Sequence, residues 1–125
     1  MSSSPADDGP VDAAVIAQLA SITDSDGVSV LGELLAAFLD AAPLRLDALD
    51  RAVGARDLAG VADQAHALTG SSASFGARGM AGLCRQLRAA AERGDGDAVR
   101  AVLLSLQAEY VRVHESLVAL TRSGA

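Results

Sequence analysis

A chain of 125 residues has room for one domain and enough length to bury a core of its own. Half of the residues are hydrophobic but only 2% are aromatic, a balance carried by Ala, Leu and Val that suits close-packed helices better than a sheet. The formal charge of −6 excludes a nucleic-acid footprint, which needs clustered cations, and an anionic membrane surface is excluded on the same ground.

Residues 1–10 contain Ser, Asp and Pro and almost no large apolar side chain, so they are expected to be a disordered leader. The bundle itself is expected over residues 11–122. The first helix is short: Val15, Ile16, Leu19 and Ile22 recur at helical spacing, with Asp12 placed to cap the start. Thr23 to Gly27 breaks it. Leu31, Leu34, Leu35, Phe38 and Leu39 then form an apolar stripe that resumes beyond Pro43 at Leu46, Leu49 and Val53. This predicts one long helix kinked at Pro43, or two short ones meeting there.

Gly54 ends that segment and Asp57 is positioned to cap the next. Leu58, Val61, Ala65, Leu68, Ser72 and Phe75 follow at spacings of three and four, the buried face of a third helix. The chain turns at Gly76 to Gly79, and Met80, Leu83, Cys84, Leu87 and Ala91 repeat the pattern. After a second turn at Gly94 to Asp97, the residues Val99, Leu103, Leu106, Tyr110, Val113, Leu117 and Leu120 keep unbroken heptad spacing. Short links between long amphipathic helices make neighbours antiparallel, so the fold class is all-α, an up-and-down four-helix bundle with a short additional N-terminal helix.

Each helical residue advances about 100° around the axis, which rotates His66 away from the buried stripe of its helix and toward solvent. On the same face lie Ala59, Ala62, Asp63, Thr69, Gly70 and Ala73, nearly all small. Gly70 in mid-helix costs about 1 kcal/mol relative to Ala, and Ser71 and Ser72 are further weak helix formers. That sacrifice leaves an imidazole standing clear of a flat surface that another protein can approach. An imidazole, with an ordinary pKa of about 6.5, is in large part neutral and nucleophilic at cellular pH. Its ring nitrogen is also a good leaving group, so a phosphoryl group placed there can be passed on. Phosphoryl transfer depends mainly on alignment and charge, so a carrier need supply little beyond the nucleophile.

The run His66-Ala-Leu-Thr69-Gly70-Ser71-Ser72-Ala73-Ser-Phe-Gly76-Ala resembles the motif of histidine-containing phosphotransfer (HPt) domains of two-component phosphorelays. The likeness continues through Met80, Leu83, Cys84 and Leu87 and covers most of Val11 to Leu120. The resemblance implies phosphorylation of the outer ring nitrogen of His66 and exchange with the aspartate of a response-regulator receiver domain, the phosphate arriving from a receiver or a hybrid sensor histidine kinase. It implies a carrier without independent catalytic activity and without a cofactor. Members of the family usually carry Lys three residues after the His, where this chain has Thr69, a hydroxyl able to offer only a hydrogen bond. Many also carry Gln near the position of Arg88, and an Arg pointing toward His66 would restore part of the missing positive charge. His66, Thr69 and Gly70 are therefore the expected transfer site, with Ala62, Asp63, Ser71, Ala73 and Arg88 at the docking surface.

The other readings are weaker. His114 follows the apolar Val113 and reads as surface; Cys84 falls on a buried stripe, as a core thiol does. Asp24, Asp26 and Gly27 start like a calcium loop, but Val28 stands where a ligand belongs and no glutamate closes the loop, so no metal is expected. A hydrolase inside the bundle lacks ligands. The alternative function is a non-catalytic adaptor that binds a receiver or kinase without carrying phosphate. With one cysteine, no basic and apolar leader and no apolar run long enough to span a bilayer, the chain is expected to be a cytoplasmic monomer that meets neither membrane nor nucleic acid.

Overall fold

A computed structural model describes residues 9–123, with side chains to residue 120. Of the expected leader, only Gly9 and Pro10 fall among the described residues. Five helices follow in order: α1 (Ala13–Ala20), α2 (Leu31–Gly54), α3 (Leu58–Ser74), α4 (Arg78–Glu92) and α5 (Gly96–Ser123). No strand occurs among the described residues, and one isolated bridge joins Thr23 to Ser29. Helix α3 packs between α2 and α4, α4 against α5, and α5 back against α2, so the four long helices close a ring while α1 leans on α2. This is the all-α up-and-down bundle with a short leading helix.

The heptad positions of α5 are the ones that fill its centre: Val99, Leu103, Leu106, Val113 and Leu117 are buried, with Tyr110 and Leu120 half-buried beside them. They meet Leu35, Phe38 and Leu49 of α2, Val61, Ala65 and Leu68 of α3, and Met80, Cys84 and Leu87 of α4. Phe38 is the aromatic hub, its ring centroid 5.2 Å from Phe75 and 6.4 Å from Tyr110. Burial pushes the Cys84 thiol up to about 12 against the opposing pull of the Arg85 charge. A thiol held protonated in a packed interior is unreactive. Cys84 is expected to resist thiol-directed reagents in the folded protein and to react at once in guanidinium, which a colorimetric thiol titration reads.

Two details depart from the sequence pattern, and a third decides between alternatives that it left open. Helix α1 ends at Ala20, so Ile22 is not part of its apolar face; it lies in the following loop, half of its surface exposed. The Asp24 carboxylate closes that loop by accepting from the backbone N–H of Asp26 at 2.8 Å and of Val28 at 3.0 Å. Leu34, placed on the α2 stripe by spacing, is exposed. Pro43 does not divide the segment: α2 is a single helix through it, with Ala42 and Leu46 on either side buried in the core on the same face. An interior proline removes one intrahelical hydrogen bond, and the packing of both flanks offsets that loss.

Asp12 joins α1 to the rest. Its side chain accepts from the Ala14 N–H at 2.9 Å, capping α1, and also pairs with the Arg78 guanidinium at the start of α4. Its backbone N–H donates to the Gly76 carbonyl at 3.0 Å. The approach is close enough to require glycine at 76: the residue has a φ of +71°, and an added Cβ would lie 2.8 Å from the Asp12 Cβ and 3.1 Å from its backbone nitrogen. Gly76→Ala therefore combines a left-handed penalty with an overlap against backbone and is expected to lower stability by about 2–4 kcal/mol in urea unfolding. Asp57 caps α3 in turn, accepting from the Gly60 N–H at 3.0 Å.

Candidate functional site

The buried residues of α3 are Val61, Ala65, Leu68 and Ser72. Their stripe leaves His66 exposed on the opposite side, midway along a helix of 17 residues. Asp63, Gly70 and Ala73 are exposed around it, and Ala62, Thr69 and Ser71 are half-buried. An added Cβ on Gly70 would meet nothing within 4 Å, so glycine there relieves no crowding inside the bundle. What it provides is outward: a bare backbone one turn from the imidazole.

The hydroxyls of this face turn inward. Thr69 Oγ1 donates to the Ala65 carbonyl at 2.8 Å, Ser74 Oγ to the Gly70 carbonyl at 2.9 Å, and Ser71 Oγ bridges the Ala67 and Leu68 carbonyls at 3.4 and 3.3 Å. Back-bonding of this kind satisfies Ser and Thr inside a helix without lifting them from its surface. The face is consequently flat, and the Thr69 hydroxyl proton is spent on its own helix. Ser72, by contrast, is fully buried with no partner for its Oγ.

Positive charge reaches His66 from the next helix. Arg88 Nη1 of α4 lies 2.8 Å from His66 Nδ1, and Arg88 Nε lies 3.3 Å from a Glu92 carboxylate oxygen. The chain contains no lysine at all, so an arginine is the only long cation it could place here. The outer nitrogen, Nε2, is the ring position that Arg88 does not engage. Glu92 was not anticipated from sequence, although its spacing of four from Arg88 on one helix is the signal that could have found it.

Beside this face, α2 and α3 border an apolar groove of about 500 Å³ lined by Phe38, Ala41, Ala67, Ser71 and Phe75, with Arg45 at its edge. Arg45 Nη1 donates to Gln64 Oε1 at 3.1 Å and ties the two helices together there. The second histidine stands elsewhere: His114 is exposed on α5, its ring 6.0 Å from that of Tyr110. No cluster of metal-ligating side chains occurs among the described residues, and none of their helices is long and apolar enough to cross a membrane.

No curated protein matches the chain. A crystal structure of histidine-containing phosphotransfer protein B (HptB) from Pseudomonas aeruginosa PAO1 is similar, with a TM-score of 0.84 at 26% identity over 97% of this chain and 98% of that one. The family model described as Hpt domain matches residues 33–116, from the start of α2 to near the end of α5, and so includes His66, its flat surroundings and Arg88. A bundle of this topology, with an exposed histidine on its third helix and a family match across all four long helices, belongs to the Hpt domain family, the phosphotransfer proteins of two-component signalling.

Proposed function

We propose that His66 is the phosphoryl carrier of this domain, accepting the group on Nε2 from the aspartate of a receiver domain, or from a hybrid sensor kinase, and returning it to the aspartate of another receiver. The observation that carries the reading is the exposed imidazole on a surface of small side chains, with its outer nitrogen clear of the Arg88 contact. In the accepting direction the Nε2 lone pair attacks phosphorus. The bond from phosphorus to the aspartyl oxygen breaks, and its electron pair leaves on the carboxylate. The site offers a nucleophile and little else, so the metal and cations that stabilise the transferring group come from the partner, and the domain has no catalytic activity of its own.

Gly70, Ala73, Asp63, Ala62 and Ser71 form the docking surface, and the apolar groove next to Ala67 extends it. A patch of this size suits a transient complex of two soluble monomers in the cytoplasm. Thr69 takes the place of a cation without supplying one, and its hydroxyl faces Ala65, so oxygens on the phosphoryl group depend on the partner for charge. Incubation with a phosphorylated receiver domain tests the reading: an acid-labile, base-stable adduct on the protein is expected. Binding without any adduct, across several receivers, would leave an adaptor in its place.

A further inference from the structure

Arginine has donors only, so a guanidinium 2.8 Å from a ring nitrogen requires a lone pair on that nitrogen. With Arg88 in place, His66 Nδ1 is bare and the ring proton sits on Nε2. That is the tautomer in which the outer nitrogen has no lone pair in the ring plane to attack phosphorus.

Resting on the carrier reading above, we infer that Arg88 is a positioning residue that clamps His66 in the two states that do not react. The first is the unphosphorylated ring with its proton on Nε2. The second is the ring carrying phosphoryl on Nε2, neutral, its Nδ1 lone pair again accepting from Arg88. Both reactive states need a proton on Nδ1, where the guanidinium stands. The attacking tautomer is Nδ1–H with a lone pair on Nε2; once the Nε2–P bond has formed, the ring sheds that Nδ1 proton to water. In the reverse direction, protonation of Nδ1 lets the imidazole depart with the electron pair of the Nε2–P bond, and phosphorus passes to water or to a carboxylate. A cation at Nδ1 opposes that protonation, both by occupying the lone pair and by like-charge repulsion. Productive transfer therefore requires Arg88 to swing off the ring, and spontaneous loss of the phosphoryl group is slow while it stays.

Glu92 sets how firmly the clamp sits. Its carboxylate holds Arg88 Nε at 3.3 Å, which orients the side chain while leaving Nη1 to reach across to α3. The Arg88 side chain is 44% exposed, so its head can exchange partners.

Two measurements on the intact protein decide this. Ring-nitrogen NMR of unphosphorylated His66, at a pH well above the ordinary imidazole range, is expected to show Nε2–H with Nδ1 bare. In Arg88→Met, which keeps the apolar stem and removes the donors, the Nδ1–H population is expected to rise. After loading from a phosphorylated receiver and removal of that receiver, phosphohistidine is expected to decay about tenfold faster in Arg88→Met, the effect of one charge-assisted hydrogen bond at a half-exposed position. Arg88→Lys, which keeps a donor-only cation, is expected to restore most of the lifetime, and Glu92→Gln to shorten it by a smaller factor. Unchanged tautomer and unchanged lifetime in Arg88→Met would overturn the clamp. If wild-type protein takes up no phosphoryl group, the carrier reading fails instead, and the tautomer ratio still decides whether Arg88 holds Nδ1.

Discussion

Replacing His66 by glutamine is expected to abolish phosphoryl uptake from any receiver, a loss of at least about a thousandfold, because nothing else on the face is a nucleophile that forms a transferable bond. The side chain is exposed, so the same substitution is expected to change stability by no more than about 0.5 kcal/mol, and helical content and melting should follow the parent protein. His114→Gln is the matched control. That ring is also exposed, but it sits on α5 beside Tyr110, away from the small-residue face of α3, and uptake is expected to continue at the parental rate. Radiolabel transferred from a phosphorylated receiver, followed by gel and acid treatment, measures all three proteins side by side.

Gly70 is expected to separate folding from function. An added Cβ at this position meets no atom within 4 Å, and the residue lies inside α3, so Gly70→Ala should raise stability by about 0.5–1 kcal/mol through helix propensity alone. Gly70→Phe, at an exposed helical position, should fold at least as well as the parent. Its ring, however, would rise one turn from the imidazole, in the space a partner must enter. Phosphoryl transfer tolerates little misplacement of the reacting atoms, and a shift of about 1 Å costs on the order of a hundredfold. A drop of that size in transfer rate, with an unchanged or higher melting temperature, is the predicted pair of results. Loss of both together would place Gly70 in the packing rather than in the interface.

The bundle was legible because its signals are local and periodic. The buried stripe of α3 and the heptad seam of α5 follow from spacing alone, and the caps at Asp12 and Asp57 follow from side chains able to accept from free N–H groups at those points. Ile22 misled because an apolar residue at helical spacing looks the same whether or not the helix reaches it. The chain had already left α1, with Ser21 Oγ donating to the Gln18 carbonyl at 2.6 Å. Pro43 left two outcomes open in sequence, and tertiary packing chose the continuous helix. Gly76 and Gly79 together suggest a turn that reaches Gly79, whereas α4 begins at Arg78; Gly79 lies inside that helix, where an added Cβ would meet the Glu109 carboxylate of α5 at 2.9 Å. Glycine there lets the Glu109 side chain lie close over α4, a role that sequence cannot distinguish from a turn.

Within the site, the exposure of His66 and the slightness of its neighbours were readable from one helix. The contact with Arg88 required the register of two antiparallel helices, 22 residues apart in the chain, and that register is set by the length of the turn at Phe75–Ala77. Sequence could suggest the charge near His66 but not which ring nitrogen it meets. That distinction matters chemically, since a guanidinium on the inner nitrogen controls the proton of the ring, whereas one on the outer side would hold phosphoryl oxygens.

The claim on which all of this depends is that the phosphoryl group resides on the outer nitrogen of His66. Phosphorus-coupled NMR of the ring, recorded on wild-type protein loaded by a phosphorylated receiver, addresses it directly. One phosphoramidate signal coupled to His66 Nε2, with His114 unperturbed, is the predicted result; a signal on His114, on His66 Nδ1, or on no histidine would contradict it.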